Sequence, residues 1–397
     1  MRAVSPETHP AEPVSNVSVS SSHLCALVGG CLSLLHPARA QTDLEHLIQT
    51  GNASYIKGDY RAARQSFDEA WKLAEQTAPE NPDRYTVLKR LVAVQEAAGQ
   101  TAEADDSLRQ AITWRQNVLG PTDPTVLTDL LEDAKLCRDL HDFDRALAIL
   151  EQVRSAHVRA EGFESAPVAA DLSRIAQICL DQQKPENAAD ALTASLSILT
   201  RMNGEDHWSL LPDLDRLGEV RITLRQYDQA EQVYRHALVI RETLFGKDHA
   251  NLLTSVDGLA YALFGQKKYD EAEPVYQRLV GLWESSAGKE HPMVALTLDK
   301  IAVFYRKQEK WDQGKEASDR ATAIRAHFLA SGLAQEATER LSQSQKDEAR
   351  VLYRRALAVL DPPHPVFEEL RKQIQDNLKA LEPPVRKPRH RKVVATP

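Results

Sequence analysis

Aromatic residues make up only 6% of this 397-residue chain, and cysteine occurs four times. Cys25 and Cys31 fall within the first forty residues, which leaves Cys137 and Cys179 for everything that follows. A small domain stapled by disulfides is thereby excluded. The apolar run at 24–35 is 12 residues long, short of the roughly 20 that a membrane-spanning helix needs. Chemical motifs are missing as well. The chain has no Gly-rich phosphate loop, no Cys-x-x-Cys pair, no His-Glu-x-x-His and no Gly-x-Ser-x-Gly. The reading is therefore no enzyme, no catalytic residue, no cofactor, no metal site and no small-molecule substrate.

What the chain does have is repetition. Tyr227-Asp228-Gln229-Ala230-Glu231, Tyr269-Asp270-Glu271-Ala272-Glu273 and Trp311-Asp312-Gln313-Gly314-Lys315 recur at a spacing of 42 residues. Ala230, Val233, Tyr234, Ala237 and Leu238 then follow at helical period, making one apolar stripe. A shorter amphipathic run precedes each copy, such as Leu252, Val256, Leu259, Ala260 and Leu263. Each unit is a helix–turn–helix whose apolar faces only its neighbours can cover, so the units must stack. Weaker copies start at Tyr60, Thr101, Phe143 and Pro185, and a degenerate one at Lys346 is offset by 35 residues rather than 42. Gly120, Gly162, Gly204, Gly246 and Gly288 stand 42 apart at apolar helix ends, where a left-handed residue closes a helix at little steric cost.

These residues resemble the tetratricopeptide repeat. Leu217-Gly218, Leu259-Ala260 and Ile301-Ala302 supply the paired large and small residues of its first helix, with Ala230, Ala272, Tyr234 and Tyr276 on its second. The 42-residue length, together with Gly246-Lys247-Asp248-His249 and Gly288-Lys289-Glu290-His291-Pro292, is similar to the kinesin-light-chain variety. The fold class expected is all-α, a right-handed α-solenoid of about eight such helix pairs. A helix containing Phe367, Leu370, Ile374, Leu378 and Leu381 would cap the open end. Two departures from the kinesin light chains stand out. No heptad coiled coil precedes the repeats, and the paired Asn of the family's first helices is replaced by Asp215-Arg216, Asp257-Gly258 and Asp299-Lys300. The family's peptide-backbone contacts do not carry over to these positions.

Three segments are delimited: 1–40, 41–381 and 382–397. The apolar run at 24–35 precedes Ala38-Arg39-Ala40, a small-x-small cleavage pattern, so export after a cut behind Ala40 is expected, with a periplasmic or extracellular destination. The alternative is a cytoplasmic protein with a disordered leader. The tail carries a net +4 and the first forty residues balance, leaving −12 on 41–381 out of a total of −8. An acidic body argues against nucleic-acid binding along the solenoid. The run Arg386-Lys387-Pro388-Arg389-His390-Arg391-Lys392 could touch anionic lipid, nucleic acid or cell-wall polymer.

The recognition surface is placed on the first helices. The resemblance puts Arg90, Arg174, Arg216 and Lys300 toward the concave groove, with Asp215, Asp257 and Asp299 beside them. Either these charges pair across adjacent repeats, as Arg174 with Asp215, or they form a basic track for an acidic or C-terminal peptide. His207, His249 and His291 also recur at 42. Neighbouring helices pack about 8–10 Å apart, too far for ligands that must lie about 2 Å from one zinc ion, so they are read as loop histidines before the next helix. At that same packing distance Cys137 and Cys179 lie outside the roughly 7 Å limit for a disulfide, and are read as small buried residues. Paired carboxylates such as Asp105-Asp106 are assigned to solvated helix faces. The function expected is a protein-interaction scaffold or adaptor holding a peptide or partner helix. The alternative is a protein tethered to the envelope or to nucleic acid by its basic tail.

Overall fold

Asx residues and proline set where the helices begin. Asn81 and Asp123 each accept a hydrogen bond from the backbone N–H two residues on, and Pro82 and Pro124 hold the first helical position. The computed structural model describes residues 36–77, 80–361 and 365–381; among them are sixteen α-helices and no strand. They are α1 (His36–Ile56), α2 (Tyr60–Ala74), α3 (Pro82–Ala97), α4 (Thr101–Leu119), α5 (Pro124–Asp139), α6 (Phe143–Glu161), α7 (Ala166–Asp181) and α8 (Pro185–Asn203). Then come α9 (Leu211–Thr223), α10 (Tyr227–Phe245), α11 (Leu253–Gly265), α12 (Tyr269–Ala287), α13 (Pro292–Lys307), α14 (Trp311–Ser342), α15 (Lys346–Val359) and α16 (Glu368–Leu381). The expected cut behind Ala40 falls within α1. The run at 24–35, the basic tail and His364 lie outside the described residues.

Two ladders of left-handed residues end the helices. Gly120, Gly162, Gly204, Gly246 and Gly288 follow the second helix of each pair with φ between 83° and 96°, as their spacing predicts. The turn inside each pair also needs a positive φ. Gly58 and Gly99 provide it first, but His141, Gln183, Arg225, Lys267, Glu309 and Ser344 take it over at φ of 57–65°. Side chains there carry a steric penalty of about 1–2 kcal/mol, so this ladder is hidden from any search for glycine.

The helices group into two compact units, residues 1–156 and 157–397, the division falling within α6. In the first unit Leu44, Ala63, Phe67, Ala70, Val87 and Leu91 form a core between α1, α2 and α3. Gly51 lets α1 approach Phe67, whose ring would lie 2.6 Å from any Cβ added there. In the second unit Tyr234, Leu259, Tyr276, Ile301 and Phe304 belong to one buried cluster. Tyr234 wedges between the neighbouring first helices α9 and α11, its ring meeting Gly218 and Gly258.

The second unit also departs from strict repetition. Position 330 of the glycine ladder is alanine, and the backbone continues as one 32-residue helix, α14, roughly 48 Å long. Its first half packs on α13 and its second half on α15, so one helix closes one pair and opens the next. The loop thereby omitted is why the last copy is offset by 35 residues. Finally α16 lays Ile374 and its neighbours over α15, with polar residues outward.

Candidate partner-binding groove

Within the second unit, α9, α11 and α13 are successive first helices, and their shared face lines a groove of about 750 Å³. Tyr261 and Leu296 stand in it at 44% and 48% exposure, too open for core residues of their size. Ile222, Leu253 and Met293 extend its apolar lining, and Trp283 from α12 stacks on His291 at one side.

Charges in the groove are mostly paired. Lys300 Nζ donates to both oxygens of Asp257 at 2.7 Å, which bridges α13 to α11. Arg241 reaches up from α10 and grips Asp215 with both guanidinium nitrogens, one at 2.8 Å, while donating to the Ser255 hydroxyl. Glu219 forms no ion pair among the described residues. Burial, and secondly the charge of Asp215, hold its pKa above the usual carboxylate range, with Arg216 opposing. Tyr234 reaches the floor from α10: its ring end would lie 2.5 Å from a Cβ on Gly218 and 2.2 Å from one on Gly258.

The residues singled out from the sequence separate into two sets. Asp257 and Lys300 line the groove together, and Asp215 holds the groove arginine Arg241. Arg216 lies 3.9 Å from Asp213 of its own helix. Asp299 is engaged by Arg325 at 2.6 Å. Arg174 pairs with Asp171 at 3.0 Å, one turn away, so the suggested Arg174–Asp215 pair does not form. Arg90 belongs to the first unit, exposed on α3, and next to it Lys89 pairs with Glu132.

A buried polar ladder escaped the sequence reading. Asp129, Asp171 and Asp213 are spaced 42 apart, and all are buried in first helices. Arg115 donates to Asp129 at 2.8 Å, His157 Nδ1 lies 2.6 Å from Asp171, and Ser173 and Ser195 both donate to Asp213 at 2.6 Å. The spacing was there to be found, but aspartate on a helix is ordinarily read as solvated.

For the same reason Asp105 was misplaced. It is buried, and it meets Asp133 and Cys137 of α5 around the guanidinium of Arg145 from α6. Arg145 donates to Asp105 at 2.9 Å and to Asp133 at 2.6 Å. Burial, and then the hydrogen bond shared with Asp105, raise Asp133 to about 6. Burial acts upward on Asp105 too, but bonds from Arg145 and Asp133 outweigh it and hold that carboxyl low. The Cys137 thiol is pushed up to about 12, chiefly by burial and then by Asp133. Below about pH 6 one proton held at Asp133 leaves Asp105 and the Arg145 guanidinium balanced, and the ligand-type atoms of Asp105, Asp133 and Cys137 lie within 4.8 Å of one another.

His207, His249 and His291 precede first helices as expected, and each also acts as a cap. Their Nδ1 atoms accept from the backbone N–H of Ser209, Asn251 and Met293, the role that Asn81 and Asp123 play in the first unit. Cys137 and Cys179 are free and buried.

Comparison with known proteins agrees with the helical-repeat fold. The tetratricopeptide-repeat family profile matches residues 210–285 and 254–327. The C-terminal part of a repeat-containing protein from Cytophaga hutchinsonii superposes with a TM-score of 0.50 at 12% identity, over 70% of this chain and 95% of that one. The chain is also similar to BtubC from P. vanneervenii, at 21% identity and a TM-score of 0.45 over 62% of this chain and 92% of the other. A Podosopora anserina protein with putative kinesin-light-chain repeats gives 19% and 0.42, covering 53% and 98%. No curated protein matches the sequence. Residues 210–327 are tetratricopeptide repeats with a period of 42 residues.

Proposed function

We propose that this protein is a non-enzymatic interaction scaffold and that the groove over α9, α11 and α13 receives its partner. The observation that carries the reading is the pairing of exposed Tyr261 and Leu296 with the Asp257–Lys300 bridge in one concavity. Exposed aromatic and aliphatic anchors beside fixed charges are the composition of a recognition site. The apolar run ahead of Ala40 supports an exported location, in which the partner is a periplasmic or extracellular protein.

Crosslinked affinity capture from native cells, compared between the wild type and a Tyr261→Ser/Leu296→Ser variant, tests the groove. Loss of a reproducible partner with an unchanged helical circular dichroism spectrum supports it. Retention of that partner refutes it. Deleting residues 384–397 separates the tethering alternative, because a scaffold keeps its partner without the tail whereas a tethered protein leaves its surface.

A further inference from the structure

A concavity of about 680 Å³ opens in the first unit between the second helices α2 and α4, with the buried Leu88 of α3 at its floor. It shares no lining residue with the groove over α9, α11 and α13. Its size falls within the roughly 300–1,000 Å³ of small-molecule sites. Trp71 of α2 and Trp114 of α4 both line it, each half-buried. Later second helices carry Leu196, Leu238 and Val280 at the register of Trp71, and Ile198, Ile240 and Leu282 at that of Trp114. Aliphatic side chains meet the needs of packing at those positions, so the paired indoles are particular to this concavity. Both are also held in place. Trp71 packs on the core of α1, α2 and α3, and the Trp114 ring lies 6.0 Å from that of Tyr85, over which Arg115 sits at 3.6 Å.

The charges around the indoles balance. Arg84 and Arg109 stand with Glu80 and Asp106, two of each sign. Arg84 donates from Nε and Nη2 to the carbonyls of Ala74, Glu75 and Thr77 at the end of α2, and Arg109 lies 3.2 Å from Asp106. Asp106 is nevertheless 65% exposed, and Glu80 forms no ion pair among the described residues. Gln110, Thr113 and Asn117 add neutral donors and acceptors. Such a lining selects by its chemistry. The carboxylates oppose an anion and the arginines oppose a cation. A proline-rich segment would lie on the indoles but lacks the N–H donors that the two carboxylates accept from. A neutral sugar fits on every count: its hydroxyls both donate and accept, and the C–H face of its ring rests on the electron-rich face of an indole. We propose that this concavity binds a neutral saccharide, with a pyranose ring stacked on Trp71 or Trp114 and its hydroxyls bonded to Asp106, Glu80 and Asn117.

The test applies the full chain to an array of neutral glucose, mannose, galactose and N-acetylglucosamine oligomers, beside sulfated and sialylated oligosaccharides and a proline-rich peptide. The neutral oligomer bound most strongly is then titrated calorimetrically into the wild type and four variants. Trp71→Leu and Trp114→Ile introduce residues that other repeats carry at the same register, so the helical circular dichroism spectrum should be unchanged. Each should weaken binding about tenfold, the loss of one stacked face. Asn117→Ala, at an exposed position, removes one neutral hydrogen bond and should weaken it roughly two- to tenfold. Trp311→Leu, in the second unit and 65% exposed, should bind as the wild type does. The inference falls if no neutral oligomer binds, or if only the charged oligosaccharides or the peptide do. It falls equally if Trp71→Leu and Trp114→Ile bind with undiminished affinity. Should either tryptophan variant lose its helical spectrum, Asn117→Ala decides, and wild-type affinity there overturns the proposal.

Discussion

Lys300 on α13 holds both carboxylate oxygens of Asp257 on α11 at 2.7 Å, bridging residues 43 apart in sequence across two neighbouring first helices. Both side chains are more than a third exposed, so the bridge contributes no more than about 1 kcal/mol. Its consequence is to fix where charge sits in the groove. Lys300→Gln should shift the urea midpoint only slightly and leave Asp257 as an uncompensated anion. Binding of an acidic peptide to the groove should then weaken and that of a basic peptide strengthen, as read by titration at about 0.15 M salt, where surface charges still act at short range.

Two glycines in helices should respond in opposite directions. Gly258→Ala puts a methyl carbon within 2.2 Å of the Tyr234 ring, and overpacking of this kind costs about 1–3 kcal/mol. Gly281→Ala meets nothing within 4 Å and should stabilise α12 by about 0.5–1 kcal/mol. Equal shifts in thermal midpoint for the two variants would contradict this packing.

The left-handed ladders predict a second contrast. Gly246→Val places a β-branched residue at φ 83° and should destabilise by about 1 kcal/mol or more. Lys267 is exposed at φ 62°, and there Lys267→Gly removes the strain of a side chain. Set against the greater freedom of glycine in the unfolded chain, the gain is at most about 1 kcal/mol. Denaturant midpoints of the two variants measure both signs.

Asp133 makes the first unit sensitive to pH. Its folded value, about 6, lies above the ordinary carboxyl range, so the folded state holds this proton more tightly than the unfolded chain. The resulting stability is complete below about pH 4 and is lost as pH rises through about 6. Asp105 acts oppositely, contributing above the ordinary range and losing its share as pH falls below it. Asp133→Asn should flatten the dependence of the urea midpoint between pH 4 and 6 while keeping a neutral partner for Asp105. Asp105→Asn, which deprives Arg145 of its low-pKa partner, should destabilise at neutral pH. An unchanged slope in Asp133→Asn would show that the proton resides elsewhere.

For the leader, the expected outcome is a mature protein that begins at Gln41. N-terminal sequencing from a native-like host reads it directly, and a soluble cytoplasmic product retaining residues 1–40 would refute export.

A double change of Arg174 and Arg216 to Glu would be the direct test of a basic track along the first helices. Yet Arg174 neutralises Asp171, which is wholly buried and also bonded to His157. A glutamate there would place a second anion beside a buried one, so lost binding could follow from lost stability. Tyr261 and Leu296 are better probes, because both are exposed and outside the ion-pair network.

The sequence by itself determined the repeat, its 42-residue period, the order of first and second helices and the glycine that ends each pair. These depend on helical periodicity and on one left-handed residue per turn, both local along the chain. It also carried, unread, the end of regular repetition, since alanine at 330 lacks the freedom that stops the other helices. Only the tertiary structure decided which polar residues are buried and with whom. Asp105, Asp133 and Arg145 come from three helices, Arg241 meets Asp215 across 26 residues, and Tyr234 reaches the groove because Gly218 and Gly258 lie on either side of its ring. A polar residue on a helix has the same sequence pattern whether it faces water or a buried guanidinium. The direction of its side chain relative to the neighbouring helix makes the difference, and that direction exists only once the helices have packed.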